Sequence, residues 1–231
     1  MRRLVMWNLQ TLDGYFEGKA PWDLEFHDAA WGEELERFSL EQAKEVGALL
    51  YGRATYEGMA SHWTTATGPI ADFMNDVPKV VFSRTLDAAT WKNARLVRRD
   101  AADEVAELKR GEGKDLFVFG SAKLCDSLMR RGLFDELRIC VAPVVLGTGV
   151  PLFKPGSPRQ NLTLLQARPL ATGGVMLHLY LTGRRRAFEL AVLEVFGARR
   201  RDLWGPVAVE QGSLVGYGVL CGGVIGLVVA L

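Results

Sequence analysis

Short apolar runs, each followed by a polar or glycine-containing turn, recur through the first four fifths of the chain. Continuous runs of this length are typical of strands that are buried on both faces. The runs lie at residues 3–9, 48–51, 79–82, 95–97, 116–119 and 136–142. Because such strands occur in parallel sheets that are covered by helices, the pattern predicts an α/β protein.

Helical periodicity separates several of these runs. It predicts helices over residues 101–110 and 122–131, and Gly132 is placed to end the second of them. A third helix is predicted to begin at Ser39, which matches a capping box with Gln42. Helices between successive buried strands are the crossovers that join parallel neighbours.

The last two predicted strands, residues 162–170 and 175–181, are joined by Thr172-Gly173-Gly174, a hairpin turn signal. The predicted sheet is therefore mostly parallel and flanked by helices, with an antiparallel hairpin at its C-terminal end. These elements together predict one compact domain over residues 1–183.

Three predicted strands end at turns whose groups can bind anions. The turns are Gly52-Arg53, Ser83-Arg84 and Gly120-Ser121. A helix that begins at such a turn directs unpaired backbone N–H groups at a ligand, arginine forms a bidentate fork on phosphate, and the hydroxyl of Thr55 can donate. Because parallel strands end at a common edge, the turns predict a groove for a dinucleotide. The chain lacks the single-turn G-x-G-x-x-G motif.

Asp13 follows the first predicted strand, where open α/β sheets place their ligand crevice. From position alone, its carboxylate is equally suited to bind a ligand or to hydrogen-bond its own backbone in an Asx-turn. The irregular stretch 18–38 carries several aromatic residues and acids. It is predicted either to wall a pocket for a planar substrate or to pack as a loop on the core.

The composition excludes several classes of function. The chain has 231 residues, of which 48% are hydrophobic, and a formal net charge of +1, so a nucleic-acid partner is not expected. The three cysteines and three histidines are scattered, which excludes a disulfide framework and predicts no metal site. This cysteine usage is typical of the reducing cytoplasm. The apolar run at residues 4–7 is too short for a secretory signal.

Beyond residue 183 the pattern changes. Arginine triplets at residues 184–186 and 199–201 bracket a short apolar segment, and residues 213–231 form an uncharged, glycine-rich tail. The tail is close to the ~20 residues that span a bilayer, and its glycines have the spacing of membrane-helix contacts. Two interpretations stay open, namely a C-terminal membrane anchor and a loosely packed extension without an anchoring role.

Six short motifs occur in an order that resembles a known family. They are Thr11-Leu12-Asp13-Gly14, Gly52-Arg53-x-Thr55-Tyr56, Val81-Phe82-Ser83-Arg84-Thr85-Leu86, Phe119-Gly120-Ser121-Ala122, Asp135-Glu136-Leu137 and Pro143-Val144-Val145-Leu146-Gly147. Over most of its length the chain resembles the dihydrofolate-reductase-like proteins of the riboflavin-biosynthesis reductase (RibD) C-terminal domain family.

The resemblance implies a homodimeric, NADPH-binding reductase of a small molecule, most like 5-amino-6-(5-phosphoribosylamino)uracil reductase. The residues implied to hold the adenosine 2′-phosphate are Gly52, Arg53, Thr55, Ser83 and Arg84. Those implied to hold the pyrophosphate are Gly120, Ser121 and Ala122. Asp13 and Glu136 are implied to face the substrate as the candidate catalytic carboxylates.

Phe119 departs from the family pattern, since many relatives have a second glycine before Gly120. A bulky side chain there would either narrow the approach of a pyrophosphate or shift the turn. The deaminase signature of bifunctional relatives does not occur in the sequence. Two alternatives remain, a non-catalytic NADPH- or pteridine-binding module and a dihydrofolate-type reductase.

Overall fold

Ten strands, five α-helices and a short 3-10 helix lie within residues 1–181, the part of the chain that the computed structural model describes. The strands are β1 (Leu4–Thr11), β2 (Tyr15–Glu17), β3 (Val46–Gly52), β4 (Lys79–Phe82), β5 (Ala94–Val97), β6 (Asp115–Phe119), β7 (Glu136–Ala142), β8 (Val150–Pro151), β9 (Leu162–Pro169) and β10 (Val175–Leu181). The helices are α1 (Glu33–Ala43), α2 (Arg53–Trp63), α3 (Pro69–Asp76), α4 (Ala101–Arg110) and α5 (Ala122–Arg130), with the 3-10 helix at Glu25–His27.

Eight strands form one sheet in the order β5-β4-β3-β6-β1-β7-β10-β9. The neighbours from β5 to β7 are parallel, and β10 is antiparallel to both β7 and β9. The predicted α/β fold, with a mostly parallel sheet and an antiparallel C-terminal hairpin, is therefore confirmed. A separate antiparallel pair of β2 and β8 was not predicted, because strands this short leave no periodic signal.

The sheet separates two hydrophobic cores, and alternate residues of β1 point to opposite sides. Leu4 and Met6 belong to the core that α4 and α5 cover. Val5 and Trp7 belong to the core that α1, α2 and α3 cover. Residues on the central strands β1, β3 and β6 are almost all buried, which is why these strands read as continuous apolar runs.

The helix boundaries test the capping predictions. Gly132 adopts φ +58°, and the N–H of Leu133 donates to the carbonyl of Leu128, so the predicted glycine end of α5 is confirmed. The predicted capping box at Ser39 is wrong. α1 begins at Glu33, and Ser39 lies inside it, where its hydroxyl donates to the carbonyl of Leu35.

The predicted linker and tail, residues 184–231, lie outside the described residues. Within residues 1–181, no helix has both the length and the apolar character needed to cross a bilayer. The described residues form the compact unit Met1–Leu181.

Candidate functional site

Three of the strand ends singled out in the sequence are neighbours in the structure. β4, β3 and β6 are adjacent and parallel, so the residues after Phe82, Gly52 and Phe119 meet at one edge of the sheet. We call this edge, with the turns 52–55, 83–86 and 120–122, the polar edge. The predicted alignment of the three turns is confirmed.

Two of these turns are tied together by their hydroxyl groups. The N–H of Gly52 donates to Oγ of Ser121, and the N–H of Ser121 donates to Oγ1 of Thr55, each over 3.0 Å. Both hydroxyls therefore act first as acceptors within the protein, and each keeps its hydrogen for a further acceptor. Ser121 and Thr55 thus fix the relative position of the β3 and β6 ends.

The first turn of α5 presents backbone donors at the polar edge. Ser121 precedes the helix at φ 60°, and no side chain caps it. The N–H groups of Ala122, Lys123 and Leu124 have no acceptor within the helix, because they belong to its first turn. An anion placed there would be favoured by these donors and by the helix dipole.

Gly120 makes this approach of turn and helix possible. Its φ is +64°, and a Cβ at this position would lie 2.9 Å from Cγ2 of Thr55. The neighbouring Phe119 directs its ring edge-on against Trp7 and Phe117, with centroids 6.5 and 6.1 Å away. That ring therefore belongs to an aromatic cluster on the sheet.

Two arginines lie at the β3 and β4 ends of the polar edge. The guanidinium of Arg53 donates from Nε to Glu57 and from Nη1 to Oγ1 of Thr85, each over 2.9 Å. Arg84 is exposed, and its side chain has no hydrogen-bond or ion-pair partner within residues 1–181. Oγ of Ser83 accepts from the N–H of Leu86 over 2.9 Å, so that hydroxyl shapes the turn.

An aromatic cavity adjoins the polar edge. It has a volume of about 610 Å³, and tryptophans at positions 22, 31 and 63 line it. A smaller space of about 90 Å³ shares Trp22 and His27 with it and reaches Thr55 and Gly120. Stretch 18–38 therefore does wall a cavity, one of the two outcomes that its aromatic residues predicted.

Trp22 lies against the backbone of α2. Its φ is 66°, a conformation uncommon for a non-glycine residue. A Cβ at Gly58 would lie 2.5 Å from Cζ3 of Trp22, so only a glycine lets the ring approach α2 this closely. The opposite side of the cavity, formed by Met59, His62 and the 66–71 segment, was missed in the sequence. In the sequence, only the aromatic pair His62-Trp63 indicates this side of the cavity.

His27 lies at the cavity and carries a buried polar atom without a described partner. Its Nε2 atom is buried and has no hydrogen-bond partner within the described part of the chain. Burial lowers the pKa of this imidazole to about 4, against a small opposing effect of Asp28. The side chain is therefore neutral at physiological pH.

The neutral state of His27 predicts acid sensitivity. Between pH 6.5 and about 4 the unfolded chain takes up a proton that the folded protein resists, so stability falls as the pH falls through this window. The shift corresponds to about 3 kcal/mol of unfolding free energy. Between pH 7 and pH 4, the free energy of unfolding of the wild type should therefore fall by about 3 kcal/mol more than that of His27→Phe. Urea unfolding at the two pH values measures both losses. Equal losses would contradict the assignment, since all other titrating groups are common to both proteins.

Asp13 lies at the same end of the sheet, but its carboxylate is engaged by the protein. It accepts from the hydroxyl of Thr11 over 2.6 Å and from the N–H groups of Leu146 and Gly147 over 3.2 and 2.7 Å. The Thr11 bond, followed by the backbone bonds, holds the pKa of Asp13 below its usual value. The carboxylate is thus ionised at neutral pH and joins the β1–β2 turn to the loop after β7.

The resemblance implies that Glu136 faces the substrate, but the structure places it away from the polar edge and the aromatic cavity. It is the first residue of β7 and pairs with Val5, whereas Asp13 follows the last residue of β1. Since β1 and β7 are parallel, the two carboxylates lie at opposite edges of the sheet, about 20 Å apart at ~3.3 Å per residue.

The Glu136 carboxylate is enclosed by two arginines and a histidine at that opposite edge. It is 1% exposed, and it contacts Arg3 Nη1 at 3.0 Å, Arg138 Nε at 2.5 Å and His178 Nε2 at 2.5 Å. Burial alone would raise its pKa, but the bond from His178 and the charge of Arg138 hold that pKa below the usual range. The Glu136 carboxylate therefore has a structural role, because it is a buried charge paired with arginines at the start of β7.

Comparison with known proteins identifies similar chains. The family model of the RibD C-terminal domain matches residues 2–176. Uncharacterized protein YyaP from Bacillus subtilis (strain 168) is 29% identical over 190 residues, which cover 79% of this chain and 96% of that protein.

Solved structures share the fold. A putative riboflavin biosynthesis protein from Shewanella sp. PV-4 superposes with a TM-score of 0.64 at 20% identity, over 78% of this chain and 99% of its own. Dihydrofolate reductase from Enterococcus faecalis, solved with NADP(H), superposes with a TM-score of 0.51 at 16% identity, over 78% of this chain and 96% of its own. The dihydrofolate-reductase-like fold expected from the motifs is confirmed.

Proposed function

Because the chain belongs to the RibD C-terminal domain family, we propose that it is an NADPH-dependent reductase of a small planar heterocycle. One observation carries the proposal: three neighbouring strand ends form a single polar edge beside an aromatic cavity. Two structural neighbours, a putative riboflavin biosynthesis protein and a dihydrofolate reductase solved with NADP(H), support this proposal. Bound NADPH would supply a hydride, and the protein would supply orientation.

The hydrogen-bond donors of the polar edge are of the kinds that bind the phosphate groups of a dinucleotide. The unpaired N–H groups at the start of α5, with the hydroxyls of Ser121 and Thr55, suit a pyrophosphate. The guanidinium groups of Arg53 and Arg84 suit the adenosine 2′-phosphate. Ser83 and Gly52 would act by shaping the two turns that present these arginines.

Asp13 would act as an anchor for the loop after β7 and not as an acid. Its bonds to the N–H groups of Leu146 and Gly147 hold that loop beside the C-terminal end of β1. The carboxylate remains exposed, so a substrate hydroxyl can still donate to it.

Titration with NADPH tests the proposal. We expect the full chain to bind NADPH, seen as a shift or quenching of nicotinamide fluorescence, and to oxidise it with an aminouracil or dihydropterin acceptor. Binding without oxidation by any acceptor would favour a non-catalytic binding module. If NADPH does not bind, the proposal is wrong.

We also propose that the protein is a homodimer. Among the described residues, strand β9 lies at the edge of the sheet, and Leu162, Leu164 and Leu165 on it are 40%, 54% and 51% exposed. Exposed leucines on an edge strand favour association with a second copy. Light scattering on the full chain should give two copies per particle, and Leu164→Glu should shift the mass towards one. A monomeric wild type would contradict the proposal.

A further inference from the structure

The charged groups that line the aromatic cavity are acidic. Asp28 and Glu36 line it, and no lysine or arginine of residues 1–181 does so. Neither acid forms an ion pair with another described residue, so neither charge is neutralised. The acidic side chains of the cavity thus carry charge of the opposite sign to Arg53 and Arg84 at the polar edge.

The uncharged part of the lining suits a flat ring. Trp22, Trp31 and Trp63 offer faces for stacking. Thr67 adds a hydroxyl to the same lining, and a hydroxyl can hydrogen-bond to the edge of a heterocycle. A volume of about 610 Å³ is within the range of small-molecule sites.

We infer that the substrate is a planar heterocycle that carries no phosphate group. The inference rests on the proposed function and deepens it, because it separates this chain from reductases of phosphoribosylated uracils. A phosphate ester carries a charge of about −1.5 to −2 at neutral pH. Inside this cavity it would face two carboxylates and find no guanidinium or ammonium group to pair with. At separations below a Debye length such repulsion is poorly screened, and we expect it to weaken binding about tenfold or more.

Fluorescence of the cavity tryptophans tests this with a matched pair of ligands. The probes are 5-amino-6-(ribitylamino)uracil and its 5′-phosphate, titrated into the full chain at low ionic strength with inorganic phosphate as a control. We expect the unphosphorylated probe to bind at least about tenfold more tightly. In the double variant Asp28→Asn, Glu36→Gln the ratio should fall to about threefold or less, since the repulsion is gone. Equal or tighter binding of the phosphorylated probe to the wild type would overturn the inference, and so would a failure of both probes to bind.

NADPH fluorescence in the same samples separates this inference from the proposed function. If the ligand preference is observed but NADPH does not bind, the cavity inference stands and the reductase proposal fails. If NADPH binds and the phosphorylated probe is preferred, the reductase proposal stands and the substrate inference fails. A ratio that stays unchanged in the double variant would show that the two acids do not set the preference, which also overturns the inference.

Discussion

Gly120→Ala is expected to lower the free energy of unfolding by about 2–4 kcal/mol, roughly a 10 °C loss in melting temperature. Two costs add at this position. The left-handed φ of +64° disfavours any side chain, and the new Cβ would lie 2.9 Å from Cγ2 of Thr55. Relief of that contact would move Thr55 away from the N–H of Ser121, so NADPH affinity should fall as well. Thermal unfolding and NADPH titration measure the two effects.

Gly52→Ala is the matched control for this substitution. Gly52 lies in the adjoining turn at φ −78°, and a Cβ there would be 3.9 Å from Oγ of Ser121, which is an ordinary contact. We expect little loss of stability. If the two variants unfold at the same temperature, the structural account of the β6–α5 turn is wrong.

Arg53→Ala should weaken NADPH binding by about 10- to 100-fold and leave NADH binding nearly unchanged. The proposed contact is with the 2′-phosphate, which NADPH carries and NADH lacks, and a charge-assisted hydrogen bond contributes about 1.5–3 kcal/mol. Fluorescence titration with both nucleotides measures the ratio of affinities. Equal losses for the two would show that Arg53 does not hold this phosphate.

Glu57→Gln provides the opposite test at the same site. Glu57 accepts from Nε of Arg53 over 2.9 Å and places a negative charge beside the proposed phosphate position. Removing that charge should tighten NADPH binding relative to NADH, because repulsion is lost while Arg53 remains. Weaker NADPH binding in this variant would indicate that Glu57 orients Arg53 and that orientation matters more than charge.

The strands and the position of the polar edge were predictable because the physics behind them is local. A strand buried on both faces must be apolar at nearly every position, as Leu116, Phe117 and Val118 are. Parallel strands end at one edge, so the turns after β3, β4 and β6 had to lie on the same side. The sequence did not predict α3, which has only eight residues and begins at Pro69 within a polar segment.

Other features depend on tertiary packing, which the local sequence pattern does not indicate. Helix α1 begins after Gly32, which has no side chain that could mark the start as a cap. Ser39 resembles an N-cap residue in the sequence but lies inside the helix. The family resemblance placed Glu136 at the substrate. Because Glu136 begins a strand and Asp13 follows the end of a parallel one, the two residues lie at opposite ends of the sheet. The partnerless nitrogen of His27 is visible only once the surrounding elements are assembled.

The polar edge and the aromatic cavity are built from different parts of the chain. Strand ends from the centre of the sheet make the first, and the irregular stretch 18–38 with the far end of α2 makes most of the second. Substitutions in that stretch would therefore change the proposed substrate cavity without disturbing the polar edge, which is the proposed nucleotide site. Such a separation would let the specificity for the ring change during evolution while the polar edge is kept.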